Sequence, residues 1–326
     1  MFILSFLLRR LLQGALIILL VTFIIFTLLR VVPGDPARLI VGGMAPDEVV
    51  AMKAKELGLD RPIPLQFVSY LGDIVTGDLG TSFVRPKSGA SLGGASFDDA
   101  TREERAKVMD LILGTLPMTL QLAAVALALA LLVAVPLGTL GGLYPGRWPD
   151  KLALAIGSIC VSTPNFWLGI VLTLFLSVKL KLLPAIGYRG FSYTILPAIV
   201  LAVEIVPFIL RTLTVSVAQV MREDFIQLAP IRGLSRSRTI FHHALGNSAI
   251  PLINLLGVQL GMLLGGVLVI EFIFDYPGLG LLTINAVLQR DFPLIQGIAI
   301  FISVMFVMIN VLVDLIAMTI DPRLEY

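Results

Sequence analysis

Long runs of apolar residues, separated by shorter polar segments, dominate this sequence. A helix that crosses a bilayer needs about 20 mostly apolar residues. Six stretches meet this requirement: Leu11–Leu29, Leu111–Gly146, Leu152–Val178, Gly190–Leu210, Ala244–Ile270 and Phe292–Val313. The hydrophobicity is continuous within each stretch and does not alternate as it does in the strands of a membrane β-barrel. The pattern therefore predicts an all-α membrane protein with six transmembrane helices.

Composition agrees with a membrane protein and excludes several other classes. Hydrophobic residues make up 57% of the 326 residues and charged residues 14%, against about 45–50% and about 25% in soluble domains. The net charge of +2 does not suggest a nucleic-acid-binding protein. Cys160 is the single cysteine, so no intrachain disulfide can form. The sequence contains no P-loop, H-E-x-x-H or G-x-S-x-G motif, and we expect no catalytic, metal or cofactor site in this chain.

The distribution of lysine and arginine predicts how the chain is oriented. The first stretch follows Arg9 and Arg10 as a secretory signal would, but it is too long for one and no cleavage motif follows it, so we expect an uncleaved span. With the N-terminus inside, the short inner segments carry nine basic residues and the short outer loops four. The inner residues are Arg9, Arg10, Arg147, Lys151, Arg222, Arg232, Arg236, Arg238 and Arg323, and the outer ones are Lys179, Lys181, Arg189 and Arg290. This asymmetry predicts a bacterial inner-membrane protein with both termini in the cytoplasm.

The same analysis divides the chain into three parts. Residues 1–30 form the cytoplasmic N-terminus and the first span, residues 31–110 a periplasmic segment, and residues 111–326 a core of five spans with a cytoplasmic loop at 217–243. Within the periplasmic segment, Pro46–Leu57 is predicted to be helical, Ser88–Ser96 to be a flexible loop, and Asp98–Lys107 to be a charged, solvated helix face.

Three ionisable residues lie within or at the ends of predicted spans, where charges are costly and often functional. Glu204 lies in the middle of its span and is expected either to line a hydrophilic path or to contact a neighbouring subunit. Glu271 ends the fifth span on the outer side, where it can be solvated. Asp314 lies four residues after Asn310, on the same helix face, which favours a helix–helix contact.

The inner loop carries motifs of a known family. It reads R-E-D-F-I-Q-L-A-P-I-R-G-L-S over residues 222–235. It resembles the E-A-A-x3-G loop of ABC importer permeases, with Gln227, Leu228 and Ala229 at the E-A-A positions and Gly233 at the glycine. Further motifs resemble the first permease of the dipeptide, oligopeptide and nickel branch. They are Pro33–Arg38, Leu57–Pro62, Gly77–Gly80, Pro164–Gly169, Tyr276–Gly280, Arg290–Gly297 and Asp321–Tyr326.

The resemblance implies the fold of a type I ABC importer permease that moves peptides or similar small solutes inward by alternating access. It implies a second permease, two ABC ATPases that bind ATP and Mg²⁺, and a substrate-binding protein as partners. The implied ATPase-coupling residues are Gln227, Leu228, Ala229, Ile231, Arg232, Gly233 and Leu234. Asn165, Glu204 and Glu271 are candidates for the translocation path.

Physical reasoning explains how such a loop transmits work. A short amphipathic helix docks into a groove of a partner through apolar residues at helical spacing, here Ile226, Leu228, Ile231 and Leu234. Without the resemblance, a loop that lies on anionic lipid headgroups is an equally good interpretation. Pro230 departs from the family pattern, so the coupling helix is expected either to start near Ala229 or to have an altered geometry.

Two other functions are weaker alternatives for this sequence. An ion-coupled secondary transporter would use Glu204 and Asp314 as ion sites, but it would require inverted repeats, which the sequence does not show. An intramembrane enzyme would require paired catalytic residues within the spans, and none is evident.

Overall fold

The computed structural model of the chain describes residues 2–31, 36–41, 44–56, 58–87 and 105–320. Its helices and strands are α1 (Phe2–Val31), α2 (Pro36–Val41), α3 (Asp47–Glu56), α4 (Ile63–Val75), β1 (Thr81–Pro86), β2 (Arg105–Lys107), α5 (Val108–Leu143), α6 (Trp148–Ser162), α7 (Asn165–Leu172), α8 (Ser192–Val220), α9 (Asp224–Gln227), α10 (Arg236–Arg238), α11 (Leu245–Ile273), α12 (Leu279–Leu288) and α13 (Phe292–Ile320). Short π-helical segments, Thr173–Lys179 and Thr239–Ala244, follow α7 and α10. The chain forms two compact units, Met1–Pro117 with Leu281–Met305 and Met118–Gly280 with Phe306–Tyr326.

Five of the six predicted spans correspond to single long apolar helices, and the third corresponds to a bent pair of helices. Within the described residues, five helical stretches are long and apolar enough to cross a membrane: α1, α5, α8, α13 and the stretch from α10 into α11. The sixth span is the pair of α6 and α7, which meets the same test only when the two helices are taken together.

The third predicted span, Leu152–Val178, is not one continuous helix. The helices α6 and α7 meet at a bend of 96°. Thr163 and Pro164 between them are extended, with ψ angles of 115° and 133°. Proline disfavours the helical conformation of the residue before it and offers no N–H to continue the hydrogen-bond ladder, so the chain changes direction at Thr163–Pro164.

The unit that contains α1 joins the first span to the segment that follows it. Phe26 of α1 is fully buried and stacks on Tyr70 of α4 with a ring distance of 5.2 Å. Arg30, one turn later, places its guanidinium 3.4 Å from the centre of the Phe26 ring. These contacts hold α4 against the end of α1, since aromatic and cation–π pairs add to the energy of apolar burial.

Two predictions for the segment between the first two spans have different outcomes. The helix expected over Pro46–Leu57 is confirmed as α3. The helix expected over Asp98–Lys107 is wrong where the structure describes it, because Arg105–Lys107 pair in antiparallel fashion with β1. Residues 88–96, residues 98–104 and the terminal motif Asp321–Tyr326 lie outside the described residues.

A buried carboxylate ties β1 to the start of α13 within the same unit. Asp291 is fully buried and accepts hydrogen bonds from the Ser82 hydroxyl and, at 2.9 Å, from the Phe83 N–H. Because Asp291 immediately precedes α13 and its carbonyl accepts the N–H of Ile295, one residue both begins a span and holds a strand more than 200 positions earlier in the chain.

The second unit is organised around α8, which is buried along most of its length. Its core residues pack against residues of α5 and α11, including Ala126 and Ala130 of α5. Glycines of α5 permit the closest approach: a Cβ on Gly142 would lie 2.7 Å from the carbonyl oxygen of Thr214. Small residues at helix contacts are the usual means by which membrane helices approach closely.

Candidate functional site

The first candidate site is the loop after α8. The short helix α9 begins after the extended residue Glu223 and ends at Gln227, before Pro230. Of the two alternatives expected for the coupling helix, a start near Ala229 is wrong, and an altered geometry agrees with the structure. Pro230 opens a separate turn, because proline fits the first position of a turn and not its interior.

This second turn closes in a helix-terminating motif. The N–H of Leu234 donates to the carbonyl of Ala229 at 3.1 Å, and the N–H of Gly233 donates to the carbonyl of Pro230 at 3.0 Å. Gly233 has a φ of +73°. This combination is a Schellman motif, in which glycine avoids the steric cost of the left-handed conformation. Gly233 therefore ends this turn.

Apolar side chains of the loop are exposed on one ridge. Phe225, Leu228 and Ile231 are 43%, 45% and 83% exposed and are spaced three residues apart. We call these three residues the loop ridge. Ile226 and Ala229, by contrast, are buried, so Ile226 packs within the chain and the expectation that it anchors a partner is wrong.

The remaining residues of the predicted coupling set support the ridge. The side-chain amide of Gln227 donates to the carbonyl of Arg222 at 3.0 Å and closes the start of the loop. Arg232 is exposed beside the ridge and Leu234 is half-buried. Arg236 donates to the hydroxyl of Tyr144 at 3.2 Å, which connects α10 to the residue after α5. The result is an exposed apolar surface near Arg232 in the sequence, of the kind that helix-in-groove docking uses.

The second candidate site is a polar pair within the spans. Asn165, the first residue of α7, donates from its side-chain amide to the carboxylate of Glu204 on α8 at 2.7 Å. The carboxylate also approaches α11, because a Cβ on Gly266 would lie 3.2 Å from Glu204 Oε2. The bend after α6 thus delivers Asn165 to Glu204, and two of the three residues predicted for the translocation path lie together.

Glu271, the third predicted path residue, takes part in a different arrangement. It is fully buried, so the expectation of a solvated side chain is wrong. Its carboxylate accepts hydrogen bonds from the Thr119 hydroxyl at 2.7 Å and from the Gly280 N–H at 2.6 Å, while Thr119 Oγ1 accepts the N–H of Leu279 at 2.8 Å. Glu271 and Thr119 therefore satisfy the free N–H groups at the start of α12. Sequence reasoning missed Thr119, which lies 152 positions away.

The structure offers no metal site in the part of the chain that it describes. No group of three potential ligands among His, Cys, Asp and Glu occurs there. His242 and His243 lie in the π-helical turn before α11, where their rings contact each other edge to face at 5.1 Å.

Two family models cover almost the entire chain. Residues 134–326 match the inner membrane component of binding-protein-dependent transport systems, and residues 3–123 match the N-terminal part of such membrane components. This chain belongs to the binding-protein-dependent transport permeases. The resemblance of its inner loop to ABC importer permeases is confirmed.

Curated relatives of this permease match over nearly their full length. The chain is 33% identical over 329 residues to a probable peptide ABC transporter permease of Sinorhizobium fredii, with 98% of this chain and 99% of the relative covered. It is also 33% identical over 323 residues to the glutathione transport system permease of Salmonella paratyphi A, with 99% of both chains covered.

A solved structure supports the fold of the permease. A chain of the MetNI methionine ABC transporter in an inward-facing conformation matches with a TM-score of 0.56 at 18% identity, covering 65% of this chain and 97% of that one. The permease is thus an inner-membrane transport component with a type I fold, and the comparisons give no support to the ion-coupled alternative based on Glu204 and Asp314.

Proposed function

We propose that this permease is one of two permease subunits in an importer of peptides or similar small solutes. The names of its relatives support this substrate class. The loop ridge is the observation that carries the proposal, because a chain without a nucleotide-binding motif must receive work through a docking surface. Two ABC ATPases bind ATP with Mg²⁺ and hydrolyse it, and a substrate-binding protein delivers the solute.

The proposed orientation places both termini and the loop at 217–243 in the cytoplasm, with residues 31–110 in the periplasm. The excess of arginine and lysine in the short inner segments supports it. In this orientation the loop ridge faces the compartment that contains the ATPases, and α3, α4 and β1 face the binding protein.

The proposed mechanism is alternating access. When the ATPases close on ATP, the docked loop moves with them, and its residues Gln227, Leu228, Ala229, Ile231, Arg232, Gly233 and Leu234 transmit the motion to α8 and α11. The path between the permeases then opens outward, and hydrolysis resets it. Asn165 and Glu204 line this path, whereas Glu271 acts on it as a positioning residue through the turn that precedes α12.

The proposal is tested by affinity purification of the tagged chain in mild detergent, followed by mass spectrometry. We expect a second permease and one or two P-loop ATPases to co-purify. The variant Ile231→Asp should retain the second permease but lose most of the ATPase, because burying one isoleucine contributes about 1.5–3 kcal/mol and a carboxylate in its place opposes docking.

A matched control separates docking from general damage. Leu182 is exposed to a similar degree in the loop before α8, on the outer side in the proposed orientation, and Leu182→Asp should retain the ATPase. Normal ATPase recovery with Ile231→Asp would overturn the docking surface. A homo-oligomer without any ATPase in the wild-type preparation would overturn the importer assignment itself.

A further inference from the structure

Over most of the length of the helix α8, the exposed side chains lie along one face. From Pro197 to Val217, its exposed residues are Phe208, Arg211 and Val215, and Glu204 one turn earlier is partly exposed. Their spacing of four, three and four residues places all four on one face of the helix. The other faces are buried against neighbouring helices of the same unit. We call these four residues the α8 stripe.

Both charged residues between Ser192 and Val220 lie on the α8 stripe. Glu204 and Arg211 are seven residues apart, which corresponds to about 10.5 Å along the helix axis. Glu204 accepts a hydrogen bond from Asn165, which leaves acceptor positions on the carboxylate. No hydrogen bond or ion pair joins Arg211 to any residue that the structure describes, although charged groups at membrane depth are normally paired or functional.

Arg211 opens into a cavity large enough for a small solute. The cavity has a volume of about 670 Å³, and its lining includes Arg211 with Asp150, Ser158, Ser162 and Thr214. Its size falls within the range of about 300–1,000 Å³ that is typical of ligand pockets. The carboxylate of Asp150 accepts the N–H of Gly146 at 2.8 Å. Arg211 is therefore the one basic residue among the described residues that line this partly polar cavity of the second unit.

We propose that Arg211 binds the carboxylate of the transported solute in this cavity and that Glu204, which lies one turn before the cavity-lining Phe208 and is not itself part of the lining, binds its ammonium group. The helix rise of about 10.5 Å between the two residues would then favour zwitterions whose opposite charges are about 10 Å apart. An extended tripeptide has this length, at about 3.3–3.6 Å per residue. Guanidinium–carboxylate hydrogen bonds are charge-assisted and geometrically specific. This inference rests on the proposed function, and it adds to it a binding residue and a charge spacing for the solute.

Two other roles of Arg211 make different predictions. An arginine near the inner end of a span can extend to the lipid headgroups, in which case any cation suffices and the terminal groups of the solute are irrelevant. Arg211 can also pair with a carboxylate of the second permease, in which case its removal weakens assembly.

The test compares uptake of trialanine with that of trialanine amide by the complete complex in proteoliposomes. The same binding protein delivers both probes, so a change in the acid-to-amide ratio between variants belongs to the permease. We expect a ratio of at least about ten in the wild type, since a charged hydrogen bond contributes enough for a tenfold effect. Arg211→Gln should reduce the ratio to about one, and Arg211→Lys should leave it between the two.

The matching experiment at the other end uses N-acetyl-trialanine. Glu204→Gln should remove the preference for the free amine while the acid-to-amide ratio stays as in the wild type. An unchanged acid-to-amide ratio in Arg211→Gln, or loss of the second permease from this variant during purification, would overturn the role of Arg211.

A second measurement reports binding without transport. In a Cys160→Ser background, a cysteine introduced as Phe208→Cys lies on the α8 stripe between the two charges. Trialanine should slow its reaction with a maleimide at least about threefold in the detergent-solubilised complex, trialanine amide should not, and Arg211→Gln should abolish the protection. Equal labelling rates with both probes would overturn the inference. If trialanine and trialanine amide are taken up equally, the binding role of Arg211 is refuted while the proposed importer function stands. If trialanine protects the cysteine from the maleimide but is not taken up, the proposed substrate class is refuted while the binding site is supported.

Discussion

Removal of the Glu271 carboxylate should destabilise the permease more than any ordinary surface change, because two buried donors depend on it. Glu271→Ala leaves the Gly280 N–H and the Thr119 hydroxyl without their acceptor inside the protein. A buried donor left unsatisfied costs about 1–3 kcal/mol, so the substitution should cost about 2–6 kcal/mol. Glu271→Gln keeps one acceptor for Gly280 and loses only the acceptor for Thr119, which predicts about half this cost.

The assay is heating of the detergent-solubilised complex followed by size-exclusion chromatography, which gives the temperature at which half of the material remains monodisperse. For chains of this size, 1 kcal/mol shifts a midpoint by about 2–4 °C. We therefore expect a decrease of about 4 °C or more for Glu271→Ala and a smaller decrease for Glu271→Gln. Glu48→Ala, at an exposed glutamate of α3, is the control and should change the midpoint little.

The relative decreases in midpoint temperature of Glu271→Ala and Glu271→Gln show what the fold requires from this residue. If Glu271→Gln is as harmful as Glu271→Ala, the charge and not the acceptor geometry is what the fold requires. If Glu271→Ala leaves the midpoint temperature unchanged, the Glu271 carboxylate does not stabilise the turn before α12.

Three further predictions concern other parts of the permease. Gly233→Val should lower solute uptake at equal abundance of the protein in the membrane. Gly233→Asn should retain more uptake, because asparagine tolerates the left-handed conformation and valine does not. Equal losses of uptake in the two variants would contradict this explanation. Gly142→Leu should prevent close packing of α5 on α8 and reduce the folded yield seen by fluorescence-detected chromatography, with Gly114→Leu, at a position of the same helix where an added Cβ meets nothing within 4 Å, as the comparison. Asp291→Asn should make β1 more accessible to limited proteolysis in membranes, at the arginines of the strand and its neighbours. Ser82→Ala should have a smaller effect, because the hydrogen bond from the Phe83 N–H to Asp291 would remain. If Asp291→Asn is digested like the wild type, Asp291 does not hold β1 in place.

Sequence reasoning performed well where a local requirement decides the structure. The hydrocarbon thickness of a bilayer demands a minimum run of apolar residues. Five of the six runs are single long helices, and the sixth is a bent pair of helices. The end of the fourth run was placed at Leu210 because Arg211 interrupts the hydrophobicity. The structure continues α8 to Val220, since Leu213 and Val217 maintain its buried face while Arg211 takes the open one.

Prolines show where the local signal becomes ambiguous. Pro164 breaks the third span with a 96° bend, whereas Pro197 and Pro207 lie inside a continuous α8. All three residues lack the same N–H group, so sequence alone cannot rank them. The packing of α8 on both sides supports its helical course, and the α6–α7 junction lacks that support.

The candidate sites divide in the same manner. The position of the inner loop and of its glycine follows from residue type and spacing, which are properties of short segments. The pairing of Asn165 with Glu204, by contrast, joins residues 39 positions apart and does not follow from them. Other features depend on contacts between distant segments. They include which loop residues face outward, the burial of the Glu271 carboxylate, and its hydrogen bond with Thr119 across 152 positions. Such contacts form only when the helices pack, because burial and hydrogen bonding between remote residues are properties of the assembled interior and not of any one stretch of chain.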